Sequence, residues 1–351
     1  MPASRPVSRL RVLTRNAALG PLDYRAPAEA VPAGSVVRVP LGPRELHGVV
    51  WEAESLPTTE VADAKLRPIL GVAPVPPIPA GLRRLVEWVA AYYLVPPAAV
   101  LRMVLSVTAA LDGARTVTEY RVSGILPERM TEKREAALST LGDAQGLVRE
   151  LAEWSGVSDA VIRGLIAAGA IEPVTVSVDR TPPLPDPGFG PPVLEAEQEA
   201  AAAALIAAVQ ARAFAPFLLD GVTGSGKTET YLEAVAAALE AGGQALVLLP
   251  EIALTEPFLR RFEARFGCKP VQWHSDLRSS ERRTAWRAAA SGAAKVVVGA
   301  RSALFLPYPD LRLIVVDEAH ETSFKQEDGV PYHARDVAVM RAQIEDIPIV
   351  L

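Results

Sequence analysis

Residues 221–228 read Gly-Val-Thr-Gly-Ser-Gly-Lys-Thr, and Asp317-Glu318-Ala319-His320 follows further along the same half of the chain. The first stretch has the residue types and spacing of a phosphate-binding loop. Successive N–H groups of Gly221, Val222, Thr223, Gly224, Ser225 and Gly226, with those at a following helix start, make a concave donor surface for phosphate oxygens. Glycine lets that backbone approach its ligand closely. Lys227 is placed to reach the β- and γ-phosphates, and Thr228 offers a hydroxyl to Mg2+. Leu313-Ile314-Val315-Val316 is a buried-strand run ending at Asp317, and an acid at such a tip holds Mg2+ through its water shell. Glu318 is the candidate that orients and deprotonates an attacking water. A glycine-rich turn and a solvated strand end are the plainer readings of the two motifs taken singly. A chance match to the loop pattern in a chain of this length is about one in a hundred.

Those residues need a strand, a loop and a helix to hold them. Phe217-Leu218-Leu219 is a short apolar run into the loop, and 229–239 is a helix out of it, closed by Gly242-Gly243. Gln198, just before a helix, has the amide donor and acceptor that read an adenine edge; alone it is an ordinary solvated glutamine. From 194 to 351 helical segments alternate with Val/Ile/Leu runs at 245–249, 295–298, 311–316 and 347–351. That pattern predicts an α/β lobe with a parallel sheet covered on both faces. Residues 180–193 are rich in proline and read as a semi-rigid linker.

Ahead of the linker, 109–179 contains a helical run at 147–154, a turn at Gly156, a second helix at 159–168 with Ser158 as N-cap, and an alternating stretch at 171–178. This is the order of a winged helix-turn-helix, which either touches DNA or spaces two domains. Over 1–108, short β-type runs at 36–40 and 48–51 alternate with turns and close on one amphipathic helix, 82–93. This predicts a small, β-rich, barrel-like domain.

Composition sets outer limits. The 351 residues are 50% hydrophobic and 22% charged with net charge −5, so any nucleic-acid surface must be local. A single cysteine, Cys268, leaves no cysteine-rich zinc module in these residues and suits a reducing cytoplasm. The longest apolar stretch, 200–209, is too short to span a bilayer. Arg5, Arg9, Arg11 and Arg15 without an acid have the look of a transit peptide or, more simply, a basic tail entering the first strand.

The motifs also occur in a telling order: Leu219 to Glu229, Leu249-Pro250-Glu251-Ile252-Ala253-Leu254-Thr255, His274-Ser275, Gly299 to Phe305 and Tyr332 to Asp336. Together they resemble the bacterial replication-restart helicases of the primosome, within superfamily 2. The resemblance is dense over 194–351 and thinner over the first hundred residues. It implies an ATP-dependent 3′-to-5′ DNA helicase acting at stalled or branched forks, with ATP and Mg2+ at the loop and His320 coupling the phosphate site to neighbouring motifs. It implies DNA contacts from Thr255 and Arg301, and an aromatic-rich loop over 321–335 in which Phe324 and Tyr332 stack while Lys325 and Arg335 bind phosphate. Val330 stands where relatives can carry tryptophan, and Ala319 where a second glutamate is common. In the N-terminal region it implies a pocket for a DNA 3′ end, with Asp23 accepting from the 3′-hydroxyl, Gly42 admitting a base and Arg67 binding phosphate.

The implied partners are single-stranded and forked DNA, single-strand-binding protein and other primosome proteins, in the cytoplasm and away from membrane. A second helicase lobe and a zinc module are expected beyond Leu351, so residues 1–351 alone are expected to bind without unwinding. Two rival readings stand beside this: a DNA-structure-binding loading platform with a vestigial nucleotide site, and a different superfamily 2 translocase.

Overall fold

The computed structural model describes residues 8–52, 56, 61–113, 116–177, 181–222, 224–250 and 256–351. The chain divides into two compact units, 1–113 with 181–351, and 114–180.

The first unit begins with an antiparallel sheet in the order β2-β1-β4-β3-β5. Its strands are β1 (Arg9–Thr14), β2 (Leu22–Arg25), β3 (Val36–Leu41), β4 (Arg44–Val50) and β5 (Gly71–Val72). Gly42 and Pro43 join β3 to β4; Gly42 sits at φ +60°, the left-handed geometry that a two-residue hairpin needs at its first position. Strand alternation sorts the side chains. Val12, Val37, Val39 and Val50 pack with Tyr24 on one face, while Leu13, Val36 and Val49 point to the other. That second face is covered by α1 (Ala80–Tyr92) and α2 (Pro97–Val104). Leu82, Leu85, Val86 and Val89 form the buried stripe of α1, at the helical spacing read from the sequence. Its start lies two residues earlier than predicted, directly after Pro79.

The second unit contains β6 (Thr116–Val122), α3 (Glu132–Leu141), β7 (Gln145–Gly146), α4 (Val148–Ser155), α5 (Asp159–Ala167) and β8 (Ile171–Ser177). The strands form an antiparallel sheet, β7-β6-β8. Ala137, Leu141, Leu151, Ile162, Leu165 and Ile171 make its own small core. Gly156, at φ +67°, ends α4 in the left-handed cap that glycine favours. Ser158 does hold the N-cap position of α5, but its hydroxyl makes no capping hydrogen bond.

Residues 181–351 complete the first unit. Here lie α6 (Ala196–Ala211), β9 (Pro216–Phe217), α7 (Lys227–Glu240), β10 (Gln244–Leu248), α8 (Glu256–Phe266), β11 (Val271–Trp273), α9 (Ser279–Ala290) and β12 (Val296–Gly299). After them come β13 (Leu311–Val316), β14 (Lys325–Gln326), β15 (Tyr332–His333), α10 (Ala334–Glu345) and β16 (Ile349–Val350). Six strands form the expected parallel sheet, ordered β11-β12-β10-β13-β16-β9. The central strands β10, β12 and β13 are buried almost throughout, which is why they read as continuous apolar runs.

One apolar cluster runs from Leu13, Val36 and Val89 into Trp286, Phe305 and Ile349. The N-terminal sheet and the parallel-sheet lobe therefore share a core. Polar ties reinforce it: Trp286 Nε1 donates to Val104 O at 2.9 Å, Arg84 Nη2 to Ile344 O at 3.0 Å, and His333 N to Tyr93 Oη at 3.1 Å. The proline-rich stretch is also anchored. Asp186 N donates to Phe266 O at 3.0 Å, and Arg265, ion-paired with Glu233 at 2.6 Å, donates to Pro187 O at 2.7 Å.

Candidate functional site

The phosphate-binding loop leaves β9 at the C-terminal edge of the parallel sheet and feeds α7, as strand, loop and helix should. Gly224 and Gly226 take φ +84° and +78°, so glycine is required at both turns. Gln198, on the first turn of α6, reaches across to this loop: its Nε2 donates to Ser225 O at 2.9 Å, while its Oε1 accepts from Glu195 N at 2.9 Å.

Two cavities, of about 510 and 660 Å³, meet along a wall formed by Val222, Lys227, Asp317 and Glu318. The smaller is lined by Gln198, the loop and Thr228; the larger by Tyr231, Asp317, His320 and Arg335. Lys227, Thr228, Asp317, Glu318 and Gln198 thus converge from α7, the end of β13 and α6. Lys227 Nζ donates to Gly221 O at 2.5 Å and to Val222 O at 3.4 Å, curled over the loop. Phosphate oxygens are stronger acceptors for such an ammonium than carbonyls are.

Asp317 is held at both oxygens. Oδ1 accepts from the Glu318 N–H at 2.9 Å and Oδ2 from the Tyr231 hydroxyl at 2.9 Å. Burial raises its carboxyl above the ordinary range, against the lowering by those hydrogen bonds, and the Glu318 charge adds to the rise. Burial, and then the neighbouring Asp317, push the Tyr231 phenol well above its ordinary value, so it remains a protonated donor. Glu318 sits at φ +49°, a left-handed conformation unusual for a residue with a side chain. His320 is exposed, its Nε2 3.7 Å from Glu318 Oε2. The left-handed glycines, the lysine over the loop and the carboxylates on one cavity wall fit a nucleoside triphosphate with Mg2+.

The nucleic-acid candidates are less uniform. Arg301 Nη1 donates to Ser323 O and Lys325 O, both at 3.0 Å, fastening the 321–335 loop. Phe324 and Tyr332, expected as stacking faces, are 1% and 2% exposed; Tyr332 packs edge-on against Phe305 at 5.4 Å. Apolar rings flanked by a packed sheet gain more from burial than from solvent, and in this conformation neither presents a face to a base. Lys325 is exposed and pairs with Glu327 at 2.7 Å. Arg335 lines the larger cavity.

In the N-terminal sheet Arg67 Nη1 donates to Gly42 O at 3.3 Å, bringing those two candidates together. The Asp23 side chain is only 5% exposed and its carboxylate is already shared by Arg11 Nε at 3.3 Å and Arg9 at 3.9 Å. Thr223 and Thr255 lie outside the described residues. Sequence reasoning missed Tyr231, though its spacing four residues after Lys227 puts it on the same helix face; the sequence shows it only as part of the helix out of the loop.

Comparison with known proteins accords with this geometry. A family model described as 3'DNA-binding domain (3'BD), from PriA, matches residues 11–106, and one described as DEAD/DEAH box helicase matches 197–347. The replication restart protein PriA of Rickettsia felis is 31% identical over 97% of this chain and 42% of its own length. That of Chlamydia pneumoniae is 33% identical over 94% of this chain and 46% of its own. That of Bacillus subtilis is 39% identical over 64% of this chain and 28% of its own. The chain spans less than half the length of these relatives. The solved helicase MrfA matches at 18% identity with a TM-score of 0.32, over 64% of this chain and 29% of that one, a likeness too slight to carry weight. Two family models in order, and relatives aligned along nearly the whole sequence, place the chain: it belongs to the PriA family of superfamily 2 helicases, as its N-terminal part.

Proposed function

We propose that this chain supplies the nucleotide-binding half of an ATP-dependent 3′-to-5′ DNA helicase that recognises stalled or branched replication forks and serves replication restart. The observation that carries the reading is the meeting of Lys227, Asp317 and Glu318 on one wall shared by two cavities. Bound Mg2+ would neutralise charge on the β- and γ-phosphate oxygens. Thr228 and Asp317 would hold it, Gln198 would read the adenine, and Lys227 would leave its carbonyls for the phosphates. Glu318 would orient the attacking water, with His320 linking that site to its neighbours. Arg335 lines the larger cavity and Arg261 the smaller, and a second lobe would supply the arginines that stabilise transition-state charge.

In the same reading residues 1–108 form a barrel-like module that holds a DNA 3′ end near Asp23, Gly42 and Arg67. Residues 109–179 form a winged helix, supported by three helices and a three-stranded antiparallel sheet, and 194–351 form the first motor lobe behind the 180–193 linker. Thr255, Arg301, Lys325 and Arg335 would contact the strand being moved, Arg335 from the mouth of the larger cavity it lines, with Phe324 and Tyr332 released only if the loop rearranges. A zinc module, contacts with single-strand-binding protein and other primosome proteins, and a cytoplasmic location belong to the whole protein. Among the described residues no helix is long and apolar enough to cross a membrane.

ATP hydrolysis by the full-length protein, with and without forked DNA, tests this. Lys227→Ala abolishes DNA-stimulated hydrolysis and leaves fork binding intact. Turnover equal to the parent's in that variant rejects the mechanism and favours the loading platform.

A further inference from the structure

The strongest unexplained feature beside the nucleotide wall is a buried phenol. Tyr231 is 2% exposed, its ring packed in the apolar cluster that contains Val235, Val315 and Val350. A ring held that way cannot swing, so its hydroxyl is a fixed post at the edge of the larger cavity. The post donates to Asp317 Oδ2 at 2.9 Å, while Oδ1 is held by the Glu318 N–H at the same distance. With both oxygens engaged, the carboxylate plane cannot turn without breaking a bond. Thr228 lies one helical turn before Tyr231 on the same face of α7. A carboxylate held at both oxygens keeps its remaining lone pairs in fixed directions, the arrangement an oxygen ligand of a hard cation needs.

We propose that Tyr231 is a positioning residue for the divalent metal, its hydroxyl setting the Asp317 carboxylate. The inference rests on the nucleotide-site reading above and adds to it a residue that touches neither nucleotide nor metal. A tyrosine that only satisfied its own buried hydroxyl would have the same hydrogen bond, so the test must read metal dependence and not stability alone.

The experiment titrates a fluorescent ATP analogue into the full chain, in Mg2+ and in EDTA, for the parent and for Tyr231→Phe. This substitution keeps the ring and removes one oxygen. Affinity in EDTA stays at the parent value, while the gain on adding Mg2+ shrinks and the Mg2+ concentration for half-saturation rises by about tenfold, the size of effect usual for partners of metal-facing groups. Excess Mg2+ restores binding. In an Asp317→Ala background Tyr231→Phe has no further effect, because it acts through that carboxylate. An unchanged Mg2+ requirement overturns the proposal, as does equal weakening in Mg2+ and in EDTA. If the parent binds no nucleotide in either condition, the site reading falls first and the inference with it.

Discussion

Gly226 and Gln198 fill one another's space. The backbone at 226 is left-handed, and a Cβ there would run into the Gln198 amide, which is itself fastened to Ser225 O at 2.9 Å. The glutamine proposed to read the base thus also sets the loop proposed to hold the phosphates. A change in either is felt by both.

Gly226→Ala should cost about 1–2 kcal/mol from the left-handed backbone alone, and more as the Gln198 amide is displaced. Urea unfolding reads the stability loss and fluorescent-nucleotide titration the loss of affinity. Gly224→Ala is the matched comparison. It is also left-handed, at φ +84°, but has no atom within 4 Å of the added carbon. It should show the strain and leave Gln198 in place.

Arg301→Ala should uncouple the loop from the motor. It removes the donor shared by Ser323 O and Lys325 O, so the 321–335 segment loses its tie to the end of β12. DNA stimulation of hydrolysis should fall on the order of tenfold, within the usual range of coupling between sites, while the DNA-free rate is kept. A loss of DNA affinity with stimulation unchanged would point instead to direct phosphate contact by Arg301.

The parallel sheet and the nucleotide wall were legible because their signals are local. A loop pattern is contiguous, and a doubly covered strand such as β13 is apolar at nearly every position. The aromatic loop was not legible in the same way. Phe324 and Tyr332 carry the residue types of a stacking surface, yet Phe305 and the shared core claim them, and that competition is decided by residues distant in sequence. The place of Arg335 at the larger cavity was hidden for the same reason: one residue into α10, its direction depends on how that helix meets β13. The join between the N-terminal sheet and the lobe left no trace in composition, since Trp286 reads as one apolar residue in an alanine-rich helix. β6 and α3 were passed over because exposed, charged segments lack a clear apolar period.

Trp286→Ala should destabilise the chain by about 3–5 kcal/mol, the cost of emptying a buried indole site. Trp286→Phe keeps most of the packing and loses the Nε1 bond to Val104 O, for about 1 kcal/mol. Denaturant unfolding followed separately in the N-terminal sheet and in the lobe should show both shifting together, as parts of one core.

Stability should fall as pH drops from 7 toward 5, in part through His47. Burial holds its imidazole below the ordinary 6.5; Asp112 pulls it up, while Arg15 and Arg38 push it down. With the folded value below the unfolded one, the contribution is complete above the ordinary value and is lost as pH falls through the folded one. His47→Gln, which cannot take the proton, should give a flatter melting profile over that window than the parent does.

The tie between Val104 and Trp286 spans 182 positions of sequence, and the core it serves is completed only by Ile349. During synthesis the apolar faces of α1 and α2 leave the ribosome long before their partners exist. At 5–20 residues per second the wait is roughly 10–50 s. Residues 116–177, whose core is their own, can close within that interval. The nascent chain thus presents a finished domain tethered to an unfinished one, and the unfinished sheet is where a chaperone has most to do.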